Sequence, residues 1–560
     1  VTLILGKLAS YDPYSESIMI NRPKNSLREI FLLWHPQTYA SLKKRLEVLD
    51  LLIEKYPDVG WNLLIDLLPK SDDVGHPTSK PIWRQFTEKT EVLPPTIAEH
   101  YASIKEIVDR LLTYVGYDGQ LWVKILENFP DLPVDQRNRI FEQLSSDVDK
   151  ILNGRYELWN KLRKVISRHR SYPDTDWALP EEELKDLEDI YSSLEPKDTI
   201  DRLCWLFDGW PDLLEGVKIE DHDDNDEHFV QLRIAALNEI KDDHGFEGLI
   251  NLSERIEYPF YIGRALAEDD IDLKEEDKLY SLLEEADESQ MIFVKEYIFR
   301  KAFNDKEWTK NLVNKARTEN WSDLKIVNCF TALPSRMFVW DLLNHFNESI
   351  QEAYWKKCSF GGITRESEDK IYFVEHMAQA KRYFTALGIA ALYAKEMTPE
   401  LIAEVLEKTA TEKSEDKYHI KYWDIEKLFK ELYKSEYPKS EIAKLELKYI
   451  PILASVGSRR APKMLHDALA NDPEFFAEII RYIYKRKDGK QDEGEEKITQ
   501  KRLEQRGKLS WRLIKSWKTI PCSGNNGQID YEKLKSWIDK ARELCEKSDR
   551  ITACDKQIGK

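Results

Sequence analysis

The run Asp221-His222-Asp223-Asp224-Asn225-Asp226-Glu227-His228 gathers carboxylates and imidazoles at a spacing that could hold a divalent cation. Asp221, Asp223 and Asn225 match the first three ligand positions of a calcium-binding loop. The sixth position is Asp226, where the sharp turn needs glycine, and the twelfth is Leu232, where a bidentate glutamate belongs. The run therefore reads as a solvated acidic loop. Pro211-Asp212 with Glu215 and Lys218 has the residue types of a nuclease carboxylate–lysine set, but the spacing from acid to lysine is wrong. Gly507-Lys508 has Arg502 where a phosphate loop needs its first glycine. No HExxH, no GxSxG elbow and no spaced Cys/His zinc set occurs. We expect no catalytic residue, no metal and no cofactor in this chain.

Two constellations suit binding better than catalysis. Arg155, Lys161, Arg163, Lys164, Arg168 and Arg170, interleaved with Tyr156, Trp159 and His169, could meet phosphates and carry a nucleic-acid reading. Their charges fall around much of one helix, and the acids from Glu181 onward could pair with them, so a solvated or domain-pairing face is preferred. The second constellation is a pair of aromatic loops. His76-Pro77-Thr78-Ser79-Lys80-Pro81-Ile82-Trp83-Arg84 is stiffened by two prolines, and Ser359-Phe360-Gly361-Gly362 follows Tyr354-Trp355. Stiff loops lose little entropy on binding. His76, Lys80, Trp83, Arg84, Tyr354, Trp355 and Phe360 are therefore the expected contacts to a protein partner.

The elements that would carry these residues read as helices. Apolar residues recur at three- and four-residue spacing almost throughout, and no run of alternating β-branched residues stands out. Trp61 to Pro69 and Trp122 to Pro130 repeat one pattern, a tryptophan, an apolar helical stretch and a proline, and Cys204 to Pro211 is a shorter relative. Each reads as a buried helix end stopped by proline. Their recurrence predicts an all-α, irregular helical-repeat solenoid of the HEAT or TPR kind, elongated and curved. Helices are predicted over Ile97–Val115, Asp135–Leu152, Tyr156–His169 and Glu181–Leu194, among others. Ser26 is predicted to cap the helix containing Leu27, and a long helix from Glu368 to Lys395 is predicted to break near Gly388.

At 560 residues the chain is too long for one globule, and 42% hydrophobic residues suffice for burial. We divide it into N-terminal repeats (1–219), central repeats (228–484), a charged exposed insertion (485–508) and a C-terminal helical segment (509–560). Its net charge of −18 opposes binding to nucleic acid and to anionic membrane. Six scattered cysteines without a CxxC pair suggest free thiols in a reducing cytoplasm. No apolar stretch reaches the ~18 residues of a membrane span. The opening at Val1 and the end at Lys560 suggest a portion of a longer polypeptide.

Residues 21–38 (Asn21-Arg22-Pro23 through His35-Pro36-Gln37-Thr38), Val59 to Leu64 and Trp537 to Cys545 carry a more specific signal. Together they resemble the long carboxy-terminal helical regions of large bacterial anti-phage proteins, of the antiviral STAND NTPase and sirtuin-linked kinds. The resemblance implies a helical sensor for a phage-encoded protein. It also implies partners within the parent protein, an NTPase and an effector nuclease or NADase amino-terminal to this region, and oligomerisation through that parent. Neither a sirtuin nor a P-loop signature stands in these residues, so neither activity carries over.

Overall fold

The computed structural model describes residues 1–12, 22–71, 73–76, 94–216, 222–269, 273–285, 287–360, 366–415, 421–453, 462–484, 521–522 and 528–559, without the side chains of 222–226, 273–275, 285, 451–452 and 482–483. Among these residues there are 27 α-helices and no strand. The protein is all-α. The insertion predicted at 485–508, and the helix and turn that the sequence predicts at 511–517 and 523–527, lie outside the described residues, as do Lys80, Trp83 and Arg84.

Contacts divide the chain into two compact units, Val1–Asp277 with Asp287–Phe293 and Lys278–Ala286 with Val294–Lys560. Residues 222–227 are the first turns of the helical stretch His222–Arg255, which breaks at Gly245, where φ is 63°, and which packs on the elements Thr199–Leu203 and Cys204–Phe207 before it. This corrects the reading of an acidic loop. Acidic residues at a helix N-terminus complement the dipole, so the same composition favours helix there.

In the first unit, consecutive helices pack on one another, as Leu42–Lys55 does on Pro57–Asp66 and Arg155–Ser171 on Glu181–Leu194. Their apolar faces merge into one core running from Leu27 to Leu194. The helix starts follow local chemistry. Thr96 accepts the Glu99 N–H, and Asp118 accepts those of Gln120 and Leu121. Ser26, predicted as a cap, lies inside Pro23–Phe31, because Pro23 takes the first helical position and needs no N–H partner.

The second unit repeats the scheme, with Ser367–Gln379 on Tyr383–Leu392 and Lys439–Leu453 on Lys463–Asn471. The predicted break at Gly388 is wrong. Tyr383–Leu392 runs through it, and the chain turns earlier, at Lys381, where φ is 58°. There the Arg382 N–H reaches the Met377 carbonyl at 2.9 Å and the Lys381 N–H that of Ala378 at 3.1 Å. This left-handed helix stop is usually a glycine's. Asn320 and Asp549 close their helices in the same way, with φ of 52° and 58°. All six cysteines are free thiols, and no described helix is long and apolar enough to cross a membrane.

Candidate recognition surface

The three tryptophan–proline runs have two different fates. Trp61 and Trp122 are buried, at 3% and 0% exposure, within Pro57–Asp66 and Gly119–Leu126. The third run is not a buried helix end. After the five-residue helix Thr199–Leu203, the chain tightens into a 3-10 turn at Cys204–Phe207 and leaves helix at Asp208. Gly209 then takes a φ of 76°, a conformation open to a residue without a Cβ. Beyond it Trp210 stands 54% exposed.

Two buried guanidinium groups hold this loop from beneath. Arg163, 2% exposed, donates to the Asp212 carbonyl at 2.7 Å and lies 3.9 Å from the Trp205 ring. Arg233, equally buried, donates to the Leu206 and Gly209 carbonyls at 2.8 and 2.7 Å and stacks 3.7 Å from Tyr261. A non-helical loop leaves carbonyls without ladder partners, and these arginines supply donors for three of them. The result is a loop fixed by charge.

Its outer side is aromatic and acidic. Phe229 meets Trp210 edge-on at 5.5 Å, and the exposed Tyr258 ring lies against Gly209. The Asp208 carboxylate accepts the Glu257 N–H at 3.3 Å. Glu257 hydrogen-bonds the Tyr258 hydroxyl and, with Asp208 near, holds its pKa above the usual value. Asp208 and Glu257 are exposed and have no ion pair among the described residues, and the neighbouring Arg255 is engaged by Asp201. Sequence reasoning took Cys204 to Pro211 for a core element. The available signals were Gly209 before Trp210 and an arginine four residues beyond Phe229 on an apolar helical stripe.

The cations of Arg155–Ser171 are largely occupied by the fold. Arg155 donates to the carbonyls of Val148, Ile151 and Ser193. Lys161 pairs with Glu127, and Arg170 with Glu181 and Glu188. Arg163 is buried as described. Only Lys164 and Arg168 are exposed, the latter 5.3 Å from the Trp177 ring. His169, on the same helix, is buried. Its Nδ1 accepts the Leu179 N–H at 3.1 Å, and burial, with Arg168 and Arg137 near, lowers its pKa to about 4.

The expected aromatic contacts are dispersed. His76 is exposed, its carbonyl accepting from Gln37 at 2.7 Å. Tyr354 and Trp355 are interior residues at 1% and 8% exposure, which corrects their reading as partner contacts. The Tyr354 hydroxyl accepts from Trp340 Nε1 at 2.9 Å, and Trp355 stacks 4.5 Å from His376. They sit on Glu348–Lys357, whose apolar face turns into the core. Phe360, half-buried, packs on Phe373 and Tyr393.

One buried acid went unnoticed in the sequence. Glu446, wholly buried, accepts the Leu465 N–H at 2.5 Å at the start of Lys463–Asn471, and the Tyr433 hydroxyl. Burial pushes its carboxyl up to about 7, against those donors, which favour the charged form. It stands on a stripe with Ile442 and Ile450, both buried, at four-residue spacing. No group of three or more metal-binding side chains converges among the described residues. Comparison with protein-family models, with curated proteins and with solved structures finds no match to this chain, so the resemblance noted above rests on its quoted residues alone.

Proposed function

We propose that this chain is a non-catalytic recognition and scaffold region whose ligand is a protein. One observation carries the reading: the loop at 204–212 uses two buried arginines to hold an aromatic, acid-rimmed face toward solvent. A scaffold that spends buried charge to fix an exposed tryptophan has the form of an interface, where aromatic anchors dominate binding. The nucleic-acid alternative loses support, because four of the six cations on Arg155–Ser171 are engaged within the fold.

Following the resemblance, the partner is a phage-encoded protein met in a bacterial cytoplasm. Recognition there releases an effector outside residues 1–560, within a parent protein that oligomerises. The test is to select phages that escape protection by the parent protein, identify the altered phage protein, and titrate it against the purified chain by calorimetry. Tight binding of the wild-type phage protein, lost in the escape form, is the expected result. Salt-resistant DNA binding abolished by Lys164→Ala with Arg168→Ala would replace the reading with the nucleic-acid one.

A further inference from the structure

We propose that Cys545 and Cys554 form a dithiol that hydrogen peroxide oxidises to a disulfide, pinning the helix Ile551–Ile558 to the helix Tyr531–Lys547.

A helix stop brings the two thiols together. Tyr531–Lys547 closes at Asp549, whose φ of 58° turns the backbone, and the Arg550 N–H reaches the Cys545 carbonyl at 2.7 Å. Ile551–Ile558 then packs on the helix before it, with the Arg542 guanidinium 3.0 Å from the Asp555 carboxylate. Cys545 in the last turn of one helix and Cys554 in the first turn of the other are wholly buried in one apolar cluster. The Cys554 thiol donates a hydrogen bond to the Cys545 sulfur. Among the described residues, none of the other four thiols interacts with a second one. A cysteine buried singly serves as a small apolar residue, whereas two in contact can be joined.

The pair is also unequal. The hydrogen bond from Cys554, with Arg550 near, draws the Cys545 thiol below its usual value against burial, while burial pushes Cys329 and Cys358 up to about 12. The thiolate is the form that peroxide oxidises, so Cys545 reacts first and Cys554 resolves it. Access comes through the second helix. Ile551–Ile558 has eight residues, no side-chain cap at its start, and only Cys554 and Gln557 buried. Its ion pair to Arg542 is half-exposed and contributes little. So short a helix is marginal by itself, and its opening is a local event that bares both sulfurs.

The chemistry balances. The Cys545 thiolate attacks one peroxide oxygen, the O–O bond breaks, and the departing hydroxide leaves as water with the proton that Cys545 gave up. The Cys554 sulfur then attacks the resulting sulfenic sulfur, the S–O bond breaks, and the hydroxyl leaves as water with the Cys554 proton. Two thiols are oxidised by two electrons, and the peroxide is reduced to two waters.

The test treats the purified, folded full chain with hydrogen peroxide and maps its disulfides by non-reducing proteolysis and mass spectrometry. The expected product is an intramolecular Cys545–Cys554 disulfide, reversed by dithiothreitol. Amide exchange over 551–558 should slow about tenfold on oxidation, because the helix can no longer lift away. Cys554→Ser should leave a sulfenic acid on Cys545 that dimedone traps, and Cys545→Ser should give no disulfide. The wild-type chain alone already decides the matter, whatever the variants do to folding. A disulfide that includes Cys522 instead, over-oxidation of Cys545 without a disulfide, or both thiols left intact in the folded chain would each overturn the proposal. So would an unchanged exchange rate over 551–558 once the disulfide has formed.

Discussion

Trp122 opens one tryptophan–proline run and Trp210 stands just before the proline of its shorter relative, and the two rings are put to opposite use. At Trp122 the ring is sealed in the core, and its Nε1 donates to the Gly116 carbonyl at 3.2 Å. At Trp210 the helix has already ended, Gly209 turns the chain, and the ring faces solvent above buried arginines. In the first region apolar burial holds the turn, with about 25 cal/mol per Å2 of covered surface behind it. In the second, hydrogen bonds from ionised groups hold it and the aromatic surface is left over. A tryptophan–proline run thus reports a helix end, and whether the ring is anchor or interface depends on what satisfies the carbonyls beneath.

The largest expected effect lies on the buried side. Trp122→Ala should cost about 3–5 kcal/mol, read as a shift in the urea midpoint. Trp61→Ala should fall in the same range. Trp61 Nε1 is buried without a partner, so Trp61→Phe should be milder than Trp122→Phe, which also frees the Gly116 carbonyl. An unchanged midpoint for Trp122→Ala would dissolve the contrast.

The next prediction extends the comparison to the two units, through one buried titratable group in each. His169 titrates at 6.5 when unfolded and at about 4 when folded. Between those values the unfolded chain holds the additional proton, so first-unit stability is present above pH 6.5 and falls as pH drops toward 4. Glu446 behaves oppositely. Its carboxyl keeps its proton up to about 7 in the fold and loses it near 4.5 when unfolded. Second-unit stability from this group is full below pH 4.5 and is lost as pH rises through 7. Each contributes on the order of 3 kcal/mol. Hydrogen exchange normalised to intrinsic rates should show the two units protected in opposite pH directions. His169→Gln and Glu446→Gln should each flatten one trend, and parallel trends in both units would contradict the assignment.

Arg233→Ala should cost about 2 kcal/mol, because it leaves the Leu206 and Gly209 carbonyls without their donor. Faster proteolysis within 204–216 is the accompanying sign that charge holds this loop. Smallest of all, Trp210→Ala should change stability by no more than about 0.5 kcal/mol, as expected of a surface residue. A large loss there would make Trp210 a core residue like Trp122.

Much of the helical framework was legible. Ile97–Val115 and Glu181–Leu194 were read to the residue, since apolar periodicity and end signals agree there. The stop at Lys381 was not legible, because a lysine carries no sign of a left-handed conformation that glycine ordinarily marks. Tyr354 and Trp355 were misread because aromatics beside a glycine-rich stretch look like a loop whether the preceding helix faces solvent or core. The candidate surface was the least visible part. Asp208 and Glu257, which a hydrogen bond brings together, come from both sides of the helical stretch His222–Arg255, itself broken at Gly245, and nothing in their spacing announces that they meet.

By itself the sequence determined that this chain is helical and where most helices begin and end, because periodicity and capping act over a few residues. It also set the acidic balance and the stripes on which Arg163, Arg233 and Glu446 stand. Only the tertiary structure decided that those three are buried with partners on distant segments, and that Trp122 is enclosed while Trp210 is presented. Burial and hydrogen-bond satisfaction depend on partners tens of residues away, such as Leu206 for Arg233 and Leu465 for Glu446. A local pattern carries no information about which carbonyl or N–H will lie within 3 Å of a side chain once the helices have packed.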